Sequence, residues 1–309
     1  MNKLVVSSSP FIRKGNDINK MFLFVAISLL IPSVYGIMFF GINALMIIVV
    51  SVITCFLTEL IFNLITGKAY FVSDFSFFIT GITLSLVLPY STPFYVVMAS
   101  AFVSEYVAKM AFGGLGKNKF NPSLVGRCMA GFIAPNLTAE AYRFVIDGEI
   151  YRSFAEGGSN TLLNLVMGKS IGGIGTTSIV IIVVLAIFLV YSEVIDYKIP
   201  LISIIAYFVT SLLFCGIEQS AMNLCSGSFV FVSVFMLTDP NSSPNSLIGK
   251  ILYSVLFGFL SAFMWLKFPL GENTVFVVAL LLNALVPFMD KYLSIKLFKV
   301  GGFRNAYKN

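Results

Sequence analysis

Apolar runs of about twenty residues, nearly free of charge, recur along almost the whole chain, and this repetition limits what it can fold into more than any other feature. Composition agrees. With 58% hydrophobic residues, 11% charged ones and a mean hydropathy of +0.94, polar side chains cannot cover the apolar surface in water. Lipid is therefore the main solvent, and no soluble domain fits between the runs.

Taking such runs as the template and allowing shorter half-spans places helices at 21–40, 44–66, 75–88, 94–112 and 122–135, then at 176–195, 200–216, 223–238, 247–266 and 274–289. The expected fold class is all-α integral membrane, with about ten transmembrane helices. An even number of spans puts both termini on one side. Both are basic: Lys3, Arg13, Lys14 and Lys20 precede the first run, and Lys291, Lys296, Lys299, Arg304 and Lys308 follow the last. The positive-inside rule places them in the cytoplasm, together with the loops carrying Lys68, Lys117, Lys119 and Lys198. The other side receives an acidic-leaning segment, 136–175, with Glu140, Asp147, Glu149 and Glu156. Orientation thus accounts for the net charge of +6, and nucleic acid is not a partner. A polar, basic start can also mark a signal peptide, but the run at 21–40 is long enough to span and is read as a retained helix.

Histidine is absent, which excludes His-ligated haem, a His–metal centre and a Ser-His-Asp triad. Cys55, Cys128, Cys215 and Cys225 stand singly, so neither a disulfide framework nor a zinc site is indicated. Redox chemistry here would need a bound organic cofactor.

The chain repeats itself. Pro89-Tyr90-Ser91-Thr92-Pro93 is matched by Pro240-Asn241-Ser242-Ser243-Pro244, each after a segment opened by Ser-Phe, at Ser76-Phe77 and Ser228-Phe229. Leu115-Gly116-Lys117-Asn118 is matched by Leu270-Gly271-Glu272-Asn273, and Pro135 by Pro287. The offset stays near 150 residues, and motifs in one order at one offset indicate duplication. Five spans per half is an odd number, so the halves, 21–135 and 176–290, are expected to be inverted-topology repeats. They are flanked by cytoplasmic tails at 1–20 and 291–309 and joined by the extracytoplasmic linker 136–175. The third span of each half is short, rich in Ser, Thr and Gly and stopped by Pro. These are broken helices that need polar company, because a free backbone group in lipid costs several kcal/mol.

A few polar residues are candidates for chemistry. Arg127, inside the short helix opened by Asn121-Pro122-Ser123, needs an anionic partner: a bridge to Glu105 or Glu59, snorkelling to the interface, or a bound phosphate or substrate. Glu105 and Lys109, at i,i+4, favour mutual neutralisation over an ion path. Asp239 ends a broken helix, where its carboxylate lines an ion path or caps a neighbouring helix. Gly172-Gly173-Ile174-Gly175-Thr176-Thr177-Ser178 leads into the sixth span. Gly173, Gly175 and Thr177 therefore suit either a phosphate at a helix N-terminus or an ordinary N-cap.

These motifs resemble those of the D subunit of the Rnf electron-transport complex and the related B subunit of the sodium-pumping NADH:quinone reductase. The similarity covers nearly the whole chain. It rests on Ser8-Ser9-Pro10, Asp74-Phe75-Ser76 with Thr80-Gly81, and above all Gly113-Gly114-Leu115-Gly116-Lys117-Asn118-Lys119-Phe120-Asn121-Pro122. It continues through Gly173-Ile174-Gly175-Thr176-Thr177-Ser178, Leu237-Thr238-Asp239-Pro240, Asn283, Pro287 and Asp290. The resemblance implies a flavin-binding, multi-pass subunit of the bacterial cell membrane, working with other membrane and iron–sulfur subunits. Their complex would pass electrons between ferredoxin and NAD while moving Na+ or H+. It also implies FMN esterified to an extracytoplasmic threonine and a second, noncovalent flavin within the membrane. The family's attachment string, Ser or Thr, any residue, Ala, Thr and then Pro-Leu, does not occur here. Thr161, in Gly158-Ser159-Asn160-Thr161-Leu162-Leu163, is the candidate attachment residue, its alternative being the N-cap of a helix starting at Leu162. The family's Gly-Glu-Thr-Ser string has Thr176 where Glu is usual. A solute transporter or channel of the same fold, without covalent flavin, is the competing reading.

Overall fold

The computed structural model describes residues 18–67, 75–114, 116–135, 166, 172–225, 227–267 and 272–300. Among these there are helices and turns and no strands. The first helix, α1, covers Ile18–Phe40, with Pro32 inside it, and α2 covers Ile42–Ile65. Gly41, at φ 73°, makes the turn between them. Next come α3, Ser76–Val87, α4, Phe94–Tyr106, and α5, Pro122–Ile133, with a 3₁₀ turn at Met110–Phe112. Then follow α6, Ile179–Tyr191, α7, Lys198–Phe214, and α8, Ile217–Cys225. The helical turn α9, Phe229–Phe231, runs on into a π turn at Val232–Met236. The chain continues with α10, Leu247–Lys267, and α11, Asn273–Val300.

Among the described residues, five helical stretches are long and apolar enough to cross a bilayer: Lys20–Phe40, Ile42–Ile65, Phe94–Phe112, Leu247–Lys267 and Asn273–Leu293. A sixth is counted if α8 and α9 form one broken span. Their outward faces are apolar, with Met38 81% and Ile65 79% exposed, so this is a multi-pass membrane protein. By contrast α3, with 12 residues, is about 18 Å long and cannot cross a hydrocarbon layer of about 30 Å. It starts where Phe75 turns into the left-handed region at φ 46° and stops at extended Leu88, the residue before Pro89.

The structure departs from the expected run at 223–238. Gly227, at φ 80°, breaks it, leaving α8 on one side and α9 on the other. The run at 94–112 loses regular α-helix after Tyr106 and ends in the 3₁₀ turn. The tails 1–17 and 301–309, and most of the linker 136–175, lie outside the described residues.

Small residues bring the helices together. A Cβ on Gly81 of α3 would stand 2.8 Å from the Val52 Cα of α2, and Ser51 Oγ donates to Gly81 O at 2.8 Å across the same contact. The pairs α2 with α4 and α4 with α5 recur as α7 with α10 and α10 with α11. Packing of α5 on α11, and of α1 on α6, joins the first five helices to the rest. The interior at these junctions is filled by Leu84, Leu86, Leu124, Phe231, Phe257 and Phe276, all buried.

The tightest approach is α7 against α10, where a Cβ on Gly258 would lie 2.4 Å from Ser203 O and 2.7 Å from Tyr207 N. Close backbone contact of this kind is the usual basis of helix association in lipid. Gly258→Ala is expected to force α7 and α10 apart and to destabilise the fold by about 1–3 kcal/mol, despite alanine's better helix propensity. Thermal unfolding in detergent checks this, and an unchanged or raised midpoint would contradict the geometry.

Candidate functional site

Two buried polar clusters sit at opposite ends of α3. At its start, Lys109 reaches in from the end of α4. Its Nζ donates to Ser76 Oγ at 2.6 Å, to Glu59 Oε2 of α2 at 3.2 Å, and to Glu105 Oε1 one turn back on α4. Exposure is 5% for Glu59, 0% for Glu105 and 2% for Lys109, so this ion triad is desolvated. One lysine faces two carboxylates, and Glu105 Oε2 has no hydrogen-bond partner among the described residues. The i,i+4 neutralisation of Glu105 by Lys109 is present, with Glu59 added to it.

The chain then turns through Gly113, Gly114 and Gly116, at φ 107°, 95° and 81°, a conformation side chains resist. It enters α5 through Asn121, whose Oδ1 accepts from Ser123 N at 3.0 Å and Leu124 N at 3.4 Å, with Pro122 in the first turn. Asn121 Nδ2 donates to Met236 O at 3.1 Å, where the π turn frees a carbonyl from regular helical pairing.

The second cluster lies at the end of α3. Arg127 is 1% exposed. Its Nε donates to Val87 O at 3.0 Å, in the last turn of α3, and its guanidinium carbon lies 4.5 Å from the centre of the Phe276 ring. The carboxylate whose charge acts on it is that of Glu272, on the residue before α11. Neither Glu105 nor Glu59 pairs with Arg127, because Lys109 already holds both, and its burial rules out snorkelling. Glu272 is itself buried and accepts from Ser228 Oγ, at the head of α9, while Ser228 Oγ lies 3.2 Å from Thr176 Oγ1.

The glycine strip before α6 is laid along the same turn of α3. Ile174 N donates to Leu88 O at 3.0 Å and Gly175 N to Leu86 O at 2.8 Å. A Cβ on Gly173 would lie 2.5 Å from Leu86 O, and one on Gly175 2.5 Å from Leu86 Cδ2. These glycines are small so that two backbones can touch. Thr177 is fully buried beside them. Arg127 and Gly173 thus meet on the Leu86–Val87 turn, whereas Thr161 lies outside the described residues. Asp239 serves its own corner, accepting from Asn241 N at 3.3 Å and Ser242 Oγ at 3.0 Å. In sequence Glu272 and Ser228 are only landmarks of the repeat; their convergence with Arg127 and Thr176 needs the three-dimensional fold.

A helical, multi-pass membrane protein with broken helices and a desolvated charge cluster at each end of one of them belongs among membrane-embedded transport and translocation proteins. The chain belongs to the NQR2, RnfD, RnfE family, whose model matches residues 5–299. It is 29% identical over 314 residues to the D subunit of the proton-translocating ferredoxin:NAD(+) oxidoreductase complex of Clostridium ljungdahlii, covering 94% of this chain and 95% of that one. To the D subunit of the Na(+)-translocating ferredoxin:NAD(+) oxidoreductase complex of Acetobacterium woodii it is 27% identical over 315 residues, covering 99% and 98%. To the B subunit of the Na(+)-translocating NADH-quinone reductase of Neisseria meningitidis serogroup B it is 28% identical over 243 residues, covering 71% and 59%.

Removing one member of a buried ion cluster leaves uncompensated charge, at a cost of about 3–5 kcal/mol. Lys109→Met is expected to lose about that much stability, and adding Glu59→Gln and Glu105→Gln should restore most of it. Denaturant titration of the purified variants measures both steps. A single variant as stable as the parent would show that the triad is not held together by charge.

Proposed function

We propose that the chain is the D-type membrane subunit of an Rnf-type, ion-translocating ferredoxin:NAD oxidoreductase, working with other membrane subunits and with iron–sulfur subunits that carry the electrons it cannot. The observation that carries this is the end-to-end match to D subunits of two such complexes, 94% and 99% of the chain. The absence of histidine and of clustered cysteines supports placing the metal centres on partners.

The finer architecture belongs to the same proposal: ten spans in two inverted repeats of five. Three features support it. The helix pairings of the first half recur in the second. Each broken helix starts at a serine whose hydroxyl meets a buried charge, Ser76 with Lys109 and Ser228 with Glu272. Finally, basic residues fall on alternate loops, which puts both termini in the cytoplasm. In a cysteine-free background, an impermeant thiol reagent added to intact cells is expected to label Glu156→Cys and to miss Arg304→Cys. The reverse pattern would invert the orientation.

Flavin is the proposed cofactor. The Gly173–Gly175 strip does not suit its phosphate, since the Ile174 and Gly175 amides are spent on α3 carbonyls and the space a side chain would fill is taken by Leu86. Thr161 stays the candidate for an ester, with Asn160 standing where the attachment motif has Ala. Purified protein is expected to show flavin absorbance that acid precipitation releases, as a noncovalent flavin requires. A fluorescent band on a denaturing gel, lost in Thr161→Val, would instead assign an ester to Thr161. Protein without flavin in both assays would overturn the cofactor assignment.

A further inference from the structure

The cluster at the start of α3 is more than an ion pair. Lys109 is the cation that touches Glu59 and Glu105 among the described residues, and all three are buried. With both carboxyl groups ionised, these three side chains would keep one negative charge that nothing balances, and a buried charge without a counterion is strongly destabilising. Glu105 supplies an independent sign that something is bound. Its Oε1 accepts from Lys109, but its Oε2 is fully buried with no hydrogen-bond partner among the described residues. The neighbouring donors are spent elsewhere: Cys55 Sγ on Ala101 O at 3.8 Å, Thr58 Oγ1 on Thr54 O at 2.7 Å and Ser104 Oγ on Pro122 O at 2.8 Å. An ionised carboxylate oxygen left without a donor is among the costliest groups to bury.

One positive charge of small size answers both needs. A metal cation requires a shell of several oxygens, and here it would lie beside an ammonium group that already stands between the two carboxyl groups. A proton requires no shell. It turns an acceptor without a donor into a hydroxyl, and Glu59 stands within hydrogen-bonding reach of Glu105 to receive it. The groups facing Glu105 leave no other source of balance among the described residues. Glu59 and the Cys55 thiol come from α2 and Lys109 from the end of α4, while α3 has no titratable residue. On α5, Arg127 is bound to Val87 O at the far end of α3, and Cys128 is next to it. We propose that Glu59 and Glu105 together bind one proton, leaving Lys109 paired with a single negative charge shared between them.

Infrared spectra of the full-length chain in detergent at neutral pH test this. The carbonyl stretch of a protonated carboxyl group, recognised by its shift in heavy water, is expected in the parent. It should be lost in Glu59→Gln and equally in Glu105→Gln, because each variant keeps one lysine against one carboxylate and has no charge left for a proton to balance. Asp239 and Glu272 are unchanged in both variants and cancel in the parent-minus-variant difference. Stability gives a second reading. Glutamates of an unfolded chain are ionised at neutral pH, so the folded parent holds the extra proton, and its thermal midpoint should fall as the pH is raised until that proton is lost. This fall should shrink in either variant. Difference spectra without the band, or failure of both variants to fold, overturn the proposal. Loss of the band in one variant alone also overturns it, since that proton would not depend on the balance of charge. A parent that lacks the band, and whose midpoint climbs when sodium replaces choline, would make the occupant a metal ion instead.

Discussion

Helices that stop inside an apolar layer set the terms for everything packed around them. Where α3 begins and ends, backbone groups lose their intrahelical partners, and hydrocarbon offers none. At its start Phe75 O takes Phe78 N and Ile79 N, and beside it Lys109 donates to Ser76 Oγ, with Glu59 and Glu105 balancing the lysine. At its end the carbonyls of Leu86, Val87 and Leu88 are taken by Gly175 N, Arg127 Nε and Ile174 N. Once an arginine is recruited, a carboxylate is needed nearby, and Glu272 follows. The buried Arg127 and Glu272 are thus consequences of an interrupted helix.

Much of this was legible in the sequence. Apolar runs gave the first two helices and α10 to within a few residues, because length and hydropathy determine them almost alone, whereas α11 runs on to Val300, past the apolar run at 274–289. Asn121-Pro122-Ser123 opens a short helix in the sequence, and Asn121 caps it in the structure; the glycines of the string before it prove to make a turn at positive φ. The pairing of Glu105 with Lys109 follows from helical spacing. What the sequence hides is anything that depends on which helix faces which. Arg127 could be matched in advance with Glu59 or Glu105, acids inside apolar runs of the same half, but Lys109 claims both and Glu272, far along the chain, takes their place. Likewise the glycines before α6 read equally as a phosphate site or an ordinary N-cap, since a glycine that lets a backbone approach reads the same as one that lets a ligand approach.

The two clusters also differ in kind. Around Lys109 the donors and acceptors are in direct contact, one lysine between two carboxyl groups. Around Arg127 the opposite charges balance but do not touch, and hydroxyls, an amide and an aromatic ring fill the gaps. Direct pairing holds a rigid arrangement, whereas separated charges spanned by neutral groups can readjust at small cost. The Arg127 end is accordingly the better suited of the two to small rearrangements between the halves.

The strip from Gly172 to Gly175 bears on how such a repeated chain can be divided. In sequence the strip is the end of the linker 136–175, yet two of its amides complete the C-terminal turn of α3, and the Ile174 carbonyl leaves room at Gly36 of α1 for nothing larger than hydrogen. The residues just before α6 are therefore no passive tether: they finish α3 and pack on α1, so a helix early in the chain is complete only with backbone supplied from its middle.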